Sequence, residues 1–159
     1  MSTPEQIVSR LRERGQSLGM AESLTGGALA SAVVSVPGAS EVFRGGVVAY
    51  HREVKANVLR VSEELLERYG PVSMEVAGAM AEGARAVLGS DWALATTGVA
   101  GPDPDPQTGA VPGTVVIACV DPRGAVQTAQ LALSGHRADI REQTVQEALG
   151  MLGRALGRD

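Results

Sequence analysis

The chain has 159 residues, of which 44% are hydrophobic and 20% are charged, and its formal net charge is −4. This balance predicts one globular domain over residues 1–159 and excludes a disordered, collagen-like or coiled-coil chain. The chain lacks an apolar run that would cross a bilayer and a signal-peptide core, so we expect a cytoplasmic protein without membrane contact. Its acidic balance argues against direct nucleic-acid binding.

Helical and strand patterns alternate along the chain. Thr3, Ser62 and Ser73 each precede a helical pattern as a potential N-cap, and Gly15 and Gly89 each follow one as a C-cap. Helices are predicted at about 4–14, 28–36, 53–60, from 62 onwards, 73–88 and 137–156, and strands at about 17–21, 43–50, 92–97, 115–120 and 125–133. The last two strands form a predicted hairpin. This order predicts an α/β protein, with three α/β/α layers and a mixed, mostly parallel sheet.

The first candidate site is the turn from Ser23 to Gly27, between a predicted strand and a predicted helix. A serine at such a turn can face a pocket, and the free N–H groups of the following helix suit a phosphate or a developing oxyanion. Gly26 and Gly27 would let a ligand approach the backbone. The alternative is an ordinary helix cap whose glycines serve close packing.

The second candidate is Lys55, the only lysine among 14 Lys and Arg residues. A lysine retained in an arginine-rich chain indicates a site where the proton must be lost, because lysine, unlike arginine, can be neutral near pH 7. Lys55 follows the strand that ends near Tyr50, so it is expected at the same sheet edge as Ser23. A neutral lysine there is a general base for the serine, and Tyr50 would hold or relay the proton. The alternatives are a solvated lysine and an edge aromatic.

Two further segments are candidates for ligand binding. Thr97 and Gly98 end a predicted strand and suit a phosphate or a ribose hydroxyl, unless they only begin a loop. Arg137 and Arg141 lie four residues apart near the start of the last helix, where cations oppose the helix dipole. Their placement favours an anion shared between them, and the alternative is a pair of surface cations bonded to nearby carboxylates.

Other sequence features give no metal or cofactor site. No His or Cys cluster has ligand spacing. Asp103 and Asp105 are interrupted by prolines and lack the other positions of a calcium loop, so a free acidic turn is expected. Cys119 lies in an apolar strand and is expected to be a buried small hydrophobe. The length of the loop over 98–113 indicates function or mobility.

Six segments in a fixed order carry a more specific pattern. They are AESLTGG (21–27), PGASEVFRGGVVAYHREVK (37–55), GPVSMEVAGAMAEGAR (70–85), TTGVAGP (96–102), PGTV (112–115) and HRADIREQTVQEAL (136–149). Each is weakly specific alone, but the ordered set covers nearly the whole chain. With it the chain resembles the CinA C-terminal domain family, also known as the nicotinamide-nucleotide amidase family. The resemblance is to the stand-alone form, without the N-terminal domain of larger relatives.

The resemblance implies hydrolysis of nicotinamide mononucleotide (NMN) to nicotinate mononucleotide and ammonia, in pyridine nucleotide salvage. It implies a serine amidohydrolase that needs no metal or cofactor, with Ser23 as nucleophile, Lys55 as base and Tyr50 beside them. The residues that it implies for substrate binding are Thr25, Gly26, Gly27, Thr97, Gly98, Arg137 and, with a weaker match, Arg141. A homo-oligomer, preferably a dimer, is also expected.

Two mechanistic expectations accompany this resemblance. Backbone N–H groups around residues 24–26 would stabilise the oxyanion. Arg137 would help to lower the pKa of Lys55, because a like charge disfavours the ammonium form.

The chain departs from the family pattern at two places. Leu24 replaces the usual cysteine after the serine, which is tolerated if its side chain points into the core. The loop over 103–112 is acidic, and Ala110 replaces the usual lysine, so phosphate binding through that loop is in doubt. The alternative functions are a non-catalytic nucleotide-binding or regulatory module and a competence-related partner protein. The acidic balance argues against direct DNA contact in the latter.

Overall fold

The computed structural model describes residues 2–157, and its helices begin where the sequence supplies caps. The hydroxyls of Thr3, Ser62 and Ser73 each accept a hydrogen bond from the backbone N–H three residues later, at 3.1–3.2 Å. Gly15 and Gly89 end two helices in the left-handed conformation, each with a φ of 63°. These five predicted caps are confirmed.

Helices and strands alternate through the first part of the chain, as predicted. The α-helices within residues 2–157 are α1 (Pro4–Arg14), α2 (Ala28–Val34), α3 (Arg52–Asn57), α4 (Glu63–Tyr69), α5 (Met74–Leu88) and α6 (Arg137–Leu156). The strands are β1 (Leu18–Glu22), β2 (Phe43–Val48), β3 (Trp92–Gly98), β4 (Thr114–Val120) and β5 (Val126–Ala132), and a 3₁₀ turn spans Ala39–Glu41.

The five strands form one sheet in the order β2-β1-β3-β4-β5. β1 lies between β2 and β3 and is parallel to both, whereas β4 is antiparallel to β3 and β5. Four of the five strands therefore run in the same direction, and the predicted mixed, mostly parallel sheet is confirmed. The carboxyl ends of β1, β2 and β3 meet at one edge, which is where ligand sites form in open α/β sheets.

The two faces of the sheet carry side chains of different size. Leu18, Met20 and Leu94 point to one face, where they pack against α1, α2 and α6. Ala93 and Ala95 point to the other, where they pack with α4 and α5. Because side chains alternate along a strand, each strand contributes to both cores. The three-layer prediction is confirmed.

The last helix packs one apolar face into the core. Ile140, Leu149 and Leu152 of α6 are buried, and Val145 is partly buried against the same core. Cys119 is buried as expected, and burial raises the pKa of its thiol to about 12.

Three boundaries differ from the predicted ones. β2 ends at Val48, so Tyr50 lies beyond the strand. The helix predicted over 53–60 is α3, which ends at Asn57, and Arg60 beyond it has a φ of 61°. α2 stops at Val34.

The hairpin of β4 and β5 forms as predicted. In the described chain, none of the helices combines the length and apolar character that a membrane span needs.

Candidate active site

Ser23 and Lys55 meet at the carboxyl edge of the parallel strands. Ser23 directly follows β1, and Lys55 lies on α3, which begins shortly after β2. Lys55 Nζ lies 3.1 Å from Ser23 Oγ. Both side chains are buried, with 2% of Lys55 and 7% of Ser23 exposed. The structure therefore brings together the two residues that the sequence placed at one edge, and Lys55 is not a solvated charge.

Burial sets the protonation of Lys55. Desolvation of its ammonium lowers the pKa of Lys55 from 10.5 to about 8. Among residues 2–157, no carboxylate forms an ion pair with Lys55. The expectation that Arg137 lowers this pKa is not met, because burial of Lys55 is the cause of the shift. The Arg137 guanidinium donates to the Gly101 carbonyl and the Tyr50 hydroxyl instead.

The hydrogen bonds of Lys55 fix the direction of its nitrogen. Nζ lies 2.7 Å from the Ala49 carbonyl and 3.3 Å from the Tyr50 carbonyl, in addition to its contact with Ser23. A neutral amine keeps two N–H groups, which these two carbonyls accept. Its lone pair is then left for the hydroxyl proton of Ser23, which is the geometry of a general base.

The turn from Ser23 to Gly27 is held by a residue that the sequence analysis missed. The Glu22 carboxylate is 1% exposed and accepts hydrogen bonds from the N–H groups of Leu29 at 2.8 Å and Ala30 at 3.0 Å. These donors belong to the first turn of α2, so the prediction that they face a ligand is wrong. An acidic residue close to a helix N-terminus was the available signal.

The two N–H groups that directly follow Ser23 in the described turn remain free instead. Gly26 N–H donates to the Ser23 carbonyl at 3.1 Å, so it does not serve as a donor to substrate. Within the described chain, the N–H groups of Leu24 and Thr25 have no acceptor. Of the oxyanion donors expected around residues 24–26, the N–H groups of Leu24 and Thr25 are therefore the two that remain.

Thr25 and the two glycines shape the turn from within. Thr25 is fully buried, and its Oγ1 lies 2.8 Å from Thr96 Oγ1 of β3. Gly26 and Gly27 adopt φ values of 56° and 103°, which an L side chain rarely does. The Leu24 side chain is 4% exposed within the core, as expected for its replacement of cysteine.

A cleft of about 340 Å³ lies at the carboxyl end of β3, and its described lining does not include Ser23 or Lys55. Tyr50, Gly98 and Arg137 line it together with the loop at 99–106. Arg137 donates to the Gly101 carbonyl at 2.6 Å and to Tyr50 Oη at 3.1 Å. Tyr50 is 63% exposed; its hydroxyl accepts from Arg137, while its carbonyl contacts Lys55.

Thr97 and Arg141, the remaining candidates for substrate binding, form hydrogen bonds with different parts of the backbone. Thr97 is buried, and its hydroxyl donates to the Pro71 carbonyl at 2.7 Å. Arg141 donates to the Leu24 carbonyl at 2.8 Å and the Thr25 carbonyl at 3.1 Å. The two arginines thus bind separate loops rather than one shared group. Among residues 2–157, neither forms an ion pair with a carboxylate.

The acidic loop is anchored beside the cleft. Asp105 accepts from the backbone N–H and the hydroxyl of Thr108, and Gln107 donates to the Leu66 and Glu67 carbonyls at the end of α4. These contacts define the path of the loop, and they leave Asp103 exposed on the cleft.

Comparison with known proteins agrees with this fold and this sequence pattern. The model of the CinA C-terminal domain matches residues 1–156. The chain belongs to the CinA C-terminal domain family. A CinA-like protein of Frankia casuarinae is 47% identical over 150 residues, which cover 94% of this chain and 34% of that protein. One of Parasynechococcus marenigrum is 45% identical over 151 residues, covering 94% of this chain and 36% of that protein. The chain thus spans about a third of the length of these curated relatives.

Solved CinA structures share the whole fold. The competence/damage inducible protein CihA of Agrobacterium tumefaciens is 33% identical, with a TM-score of 0.92 over 98% of this chain and 93% of that one. A CinA superfamily protein of Enterobacter cloacae is 31% identical, with a TM-score of 0.93 over 98% of this chain and 94% of that one. The family expected from the ordered segments is confirmed.

Other parts of the CinA domain offer less chemistry. In the described residues, His, Cys, Asp and Glu side chains form no group of three that could hold a metal ion. A larger cleft of about 410 Å³ lies at the opposite edge of the sheet, between Trp92, Asp121 and Val126. It contains no nucleophile paired with a base, so the edge with Ser23 and Lys55 is the candidate active site.

Proposed function

We propose that this CinA domain hydrolyses the carboxamide of NMN to nicotinate mononucleotide and ammonia, in pyridine nucleotide salvage. The observation that supports it most directly is the buried pair of Ser23 and Lys55, 3.1 Å apart, with the lysine pKa lowered to about 8. A hydroxyl beside a partly neutral amine is an activated nucleophile. The CinA relatives are named without a reaction, so the amidase activity rests on this chemistry and on the family resemblance.

Acylation uses the proton path between the two side chains. Lys55 takes the proton of Ser23 Oγ while Oγ forms a bond to the carboxamide carbon. The N–H groups of Leu24 and Thr25 stabilise the negative oxygen of the tetrahedral intermediate. The C–N bond then breaks, and Lys55 returns its proton to the leaving nitrogen, which departs as ammonia.

Deacylation follows the same path with water. Lys55 takes a proton from water as its oxygen bonds to the acyl carbon. The ester bond to Ser23 breaks, and the proton passes to Ser23 Oγ. Each residue returns to its starting state, and the product is a carboxylic acid. No step needs a metal or a cofactor.

The neighbouring cleft supplies binding for the rest of the substrate. Arg137 projects into it from the first turn of α6 and is held by Tyr50 and the Gly101 carbonyl. A guanidinium at that position suits the 5′-phosphate of NMN. Gly98 lines the same cleft, while Thr25, Gly26 and Gly27 support the turn beneath the carboxamide.

The direct test is incubation of the purified protein with NMN in EDTA, with ammonia and nicotinate mononucleotide measured. Ser23→Ala, assayed in parallel, is expected to abolish turnover while keeping the fold and NMN binding. NMN binding without turnover in the wild type would contradict the amidase and favour a regulatory module. Substantial activity in Ser23→Ala would remove Ser23 as the nucleophile.

A further inference from the structure

Arg141 binds the backbone that follows the nucleophile. It lies one turn into α6, and its Nε and Nη2 donate to the Leu24 and Thr25 carbonyls at 2.8 and 3.1 Å. A Cβ built on Gly26 would lie 3.5 Å from the same guanidinium. Arg141 therefore packs directly on the turn, and two of its nitrogens are already committed to it.

The planarity of the peptide bond links these carbonyls to the free N–H groups. In a trans peptide the C=O and N–H point in opposite directions. The Leu24 carbonyl and the Thr25 N–H belong to one peptide, so binding of this carbonyl by Arg141 directs the Thr25 N–H to the opposite side. The Ser23 carbonyl is bound by the Gly26 N–H, which directs the Leu24 N–H in the same way.

Charge strengthens the effect. A cation that binds a carbonyl polarises its peptide, and hydrogen bonds in such a chain strengthen one another. The Thr25 N–H is therefore a better donor with Arg141 in place. No carboxylate among the described residues pairs with Arg141, so its charge is not neutralised by an ion pair there.

We propose that Arg141 is a positioning residue that orients and polarises the Thr25 N–H as an oxyanion donor, rather than a substrate contact. This inference rests on the proposed function of Ser23 as a nucleophile. It separates the two arginines of α6, since Arg137 faces the cleft and Arg141 faces the turn. Loss of Arg141 then affects the chemical step, whereas loss of Arg137 affects substrate binding.

The experiment compares Arg141→Ala and Arg141→Lys with Arg154→Ala, a charge-matched control at an exposed position of the same helix. Two readouts are used: kcat and KM for NMN, and the rate at which a fluorophosphonate labels Ser23, followed by mass spectrometry. For Arg141→Ala, kcat and the labelling rate are expected to fall by about 10²-fold, the effect of losing an oxyanion donor, with KM little changed. Methylguanidinium is expected to restore part of both rates.

Three controls make the result specific. Arg141→Lys is expected to keep more activity than Arg141→Ala, because its ammonium can still bind one carbonyl. The apparent pKa of the rate profile is expected to stay near that of the wild type, since Lys55 is not touched. Arg154→Ala is expected to match the wild type in both readouts.

Other outcomes would overturn the inference. A rise in KM with an unchanged kcat would make Arg141 a substrate contact. Unchanged kcat and labelling rate in Arg141→Ala would show that the contact between Arg141 and the turn does not affect the reaction. Loss of activity that neither Arg141→Lys nor methylguanidinium restores would show that Arg141 is needed for folding. If wild-type protein is labelled at Ser23 but does not hydrolyse NMN, the proposed reaction fails while labelling still tests Arg141. Absence of labelling would contradict both.

Discussion

The two loops that α6 holds through its arginines differ in burial and in chemistry. Leu24 and Thr25 of the turn after Ser23 are buried, and hydrogen bonds that involve Glu22, Thr96 and Arg141 fix this turn. The loop at 99–106 is buried as far as Gly101, whose carbonyl Arg137 binds, and is mostly exposed from Pro102 onwards.

The difference assigns separate tasks to the two regions. Reaction chemistry needs atoms held within fractions of an ångström, which buried and mutually bonded groups provide. Recognition of the distant part of a substrate depends on surface charge and tolerates change in a loop. This chain has a buried pair of Ser23 and Lys55 and an acidic loop on the cleft, so we expect its rate constant and its substrate affinity to respond to different residues.

Substitution of Lys55 in the buried pair has the largest expected effect on turnover. Lys55→Arg keeps a positive charge but removes the proposed base, because arginine stays protonated at any working pH. We expect kcat to fall by about 10³-fold, within the range of general-base loss. NMN turnover is the measurement, with circular dichroism and NMN binding as controls for the fold. Lys55→Met should be as inactive, and retention of most activity in Lys55→Arg would show that Lys55 is not the base.

The pH dependence sharpens the role of the same residue. Lys55 has its pKa lowered to about 8, so its neutral, active form is lost as pH falls through that value. Below pH 8, kcat/KM is expected to drop about tenfold per pH unit, and above it to level off. A profile that is flat from about pH 6 to 9 would contradict the assignment.

Stability gives an independent check on this pKa. In the unfolded chain Lys55 has an ordinary pKa of 10.5, so between pH 8 and 10.5 the unfolded state binds more protons than the folded state. The contribution of Lys55 to the free energy of unfolding therefore rises with pH across that interval. Thermal unfolding of the wild type and Lys55→Met across this interval measures it, and an identical pH dependence in both would contradict a buried, titrating Lys55.

The sequence predicted the helices and the strands better than the inside of the site. Caps such as Ser62 and Ser73 act on the next few residues, so local pattern is enough to locate them. Lys55 was predicted as a site residue because it is the only lysine, but its burial depends on contacts with distant parts of the chain. Glu22 was missed because its partners, Leu29 and Ala30, come within reach only after the turn forms.

The exposed region gives the smallest expected effect and the clearest contrast with the buried one. Asp103 lies on the rim of the cleft that Arg137 faces, where its charge opposes that of a phosphate. Asp103→Asn is expected to lower KM for NMN by about two- to fivefold, as a surface charge change does, and to leave kcat unchanged. Glu64→Gln, an exposed change of equal charge on α4, is the matched control.

Salt and substrate charge decide whether the Asp103 effect is electrostatic. The difference in KM between Asp103→Asn and the wild type should shrink as salt is raised, because exposed charges are screened. It should also be smaller for nicotinamide riboside, which lacks the phosphate. An equal change for both substrates would mean that Asp103 acts through the shape of the loop. A change in kcat would mean that the two regions are coupled, and the separation of chemistry from recognition would then fail.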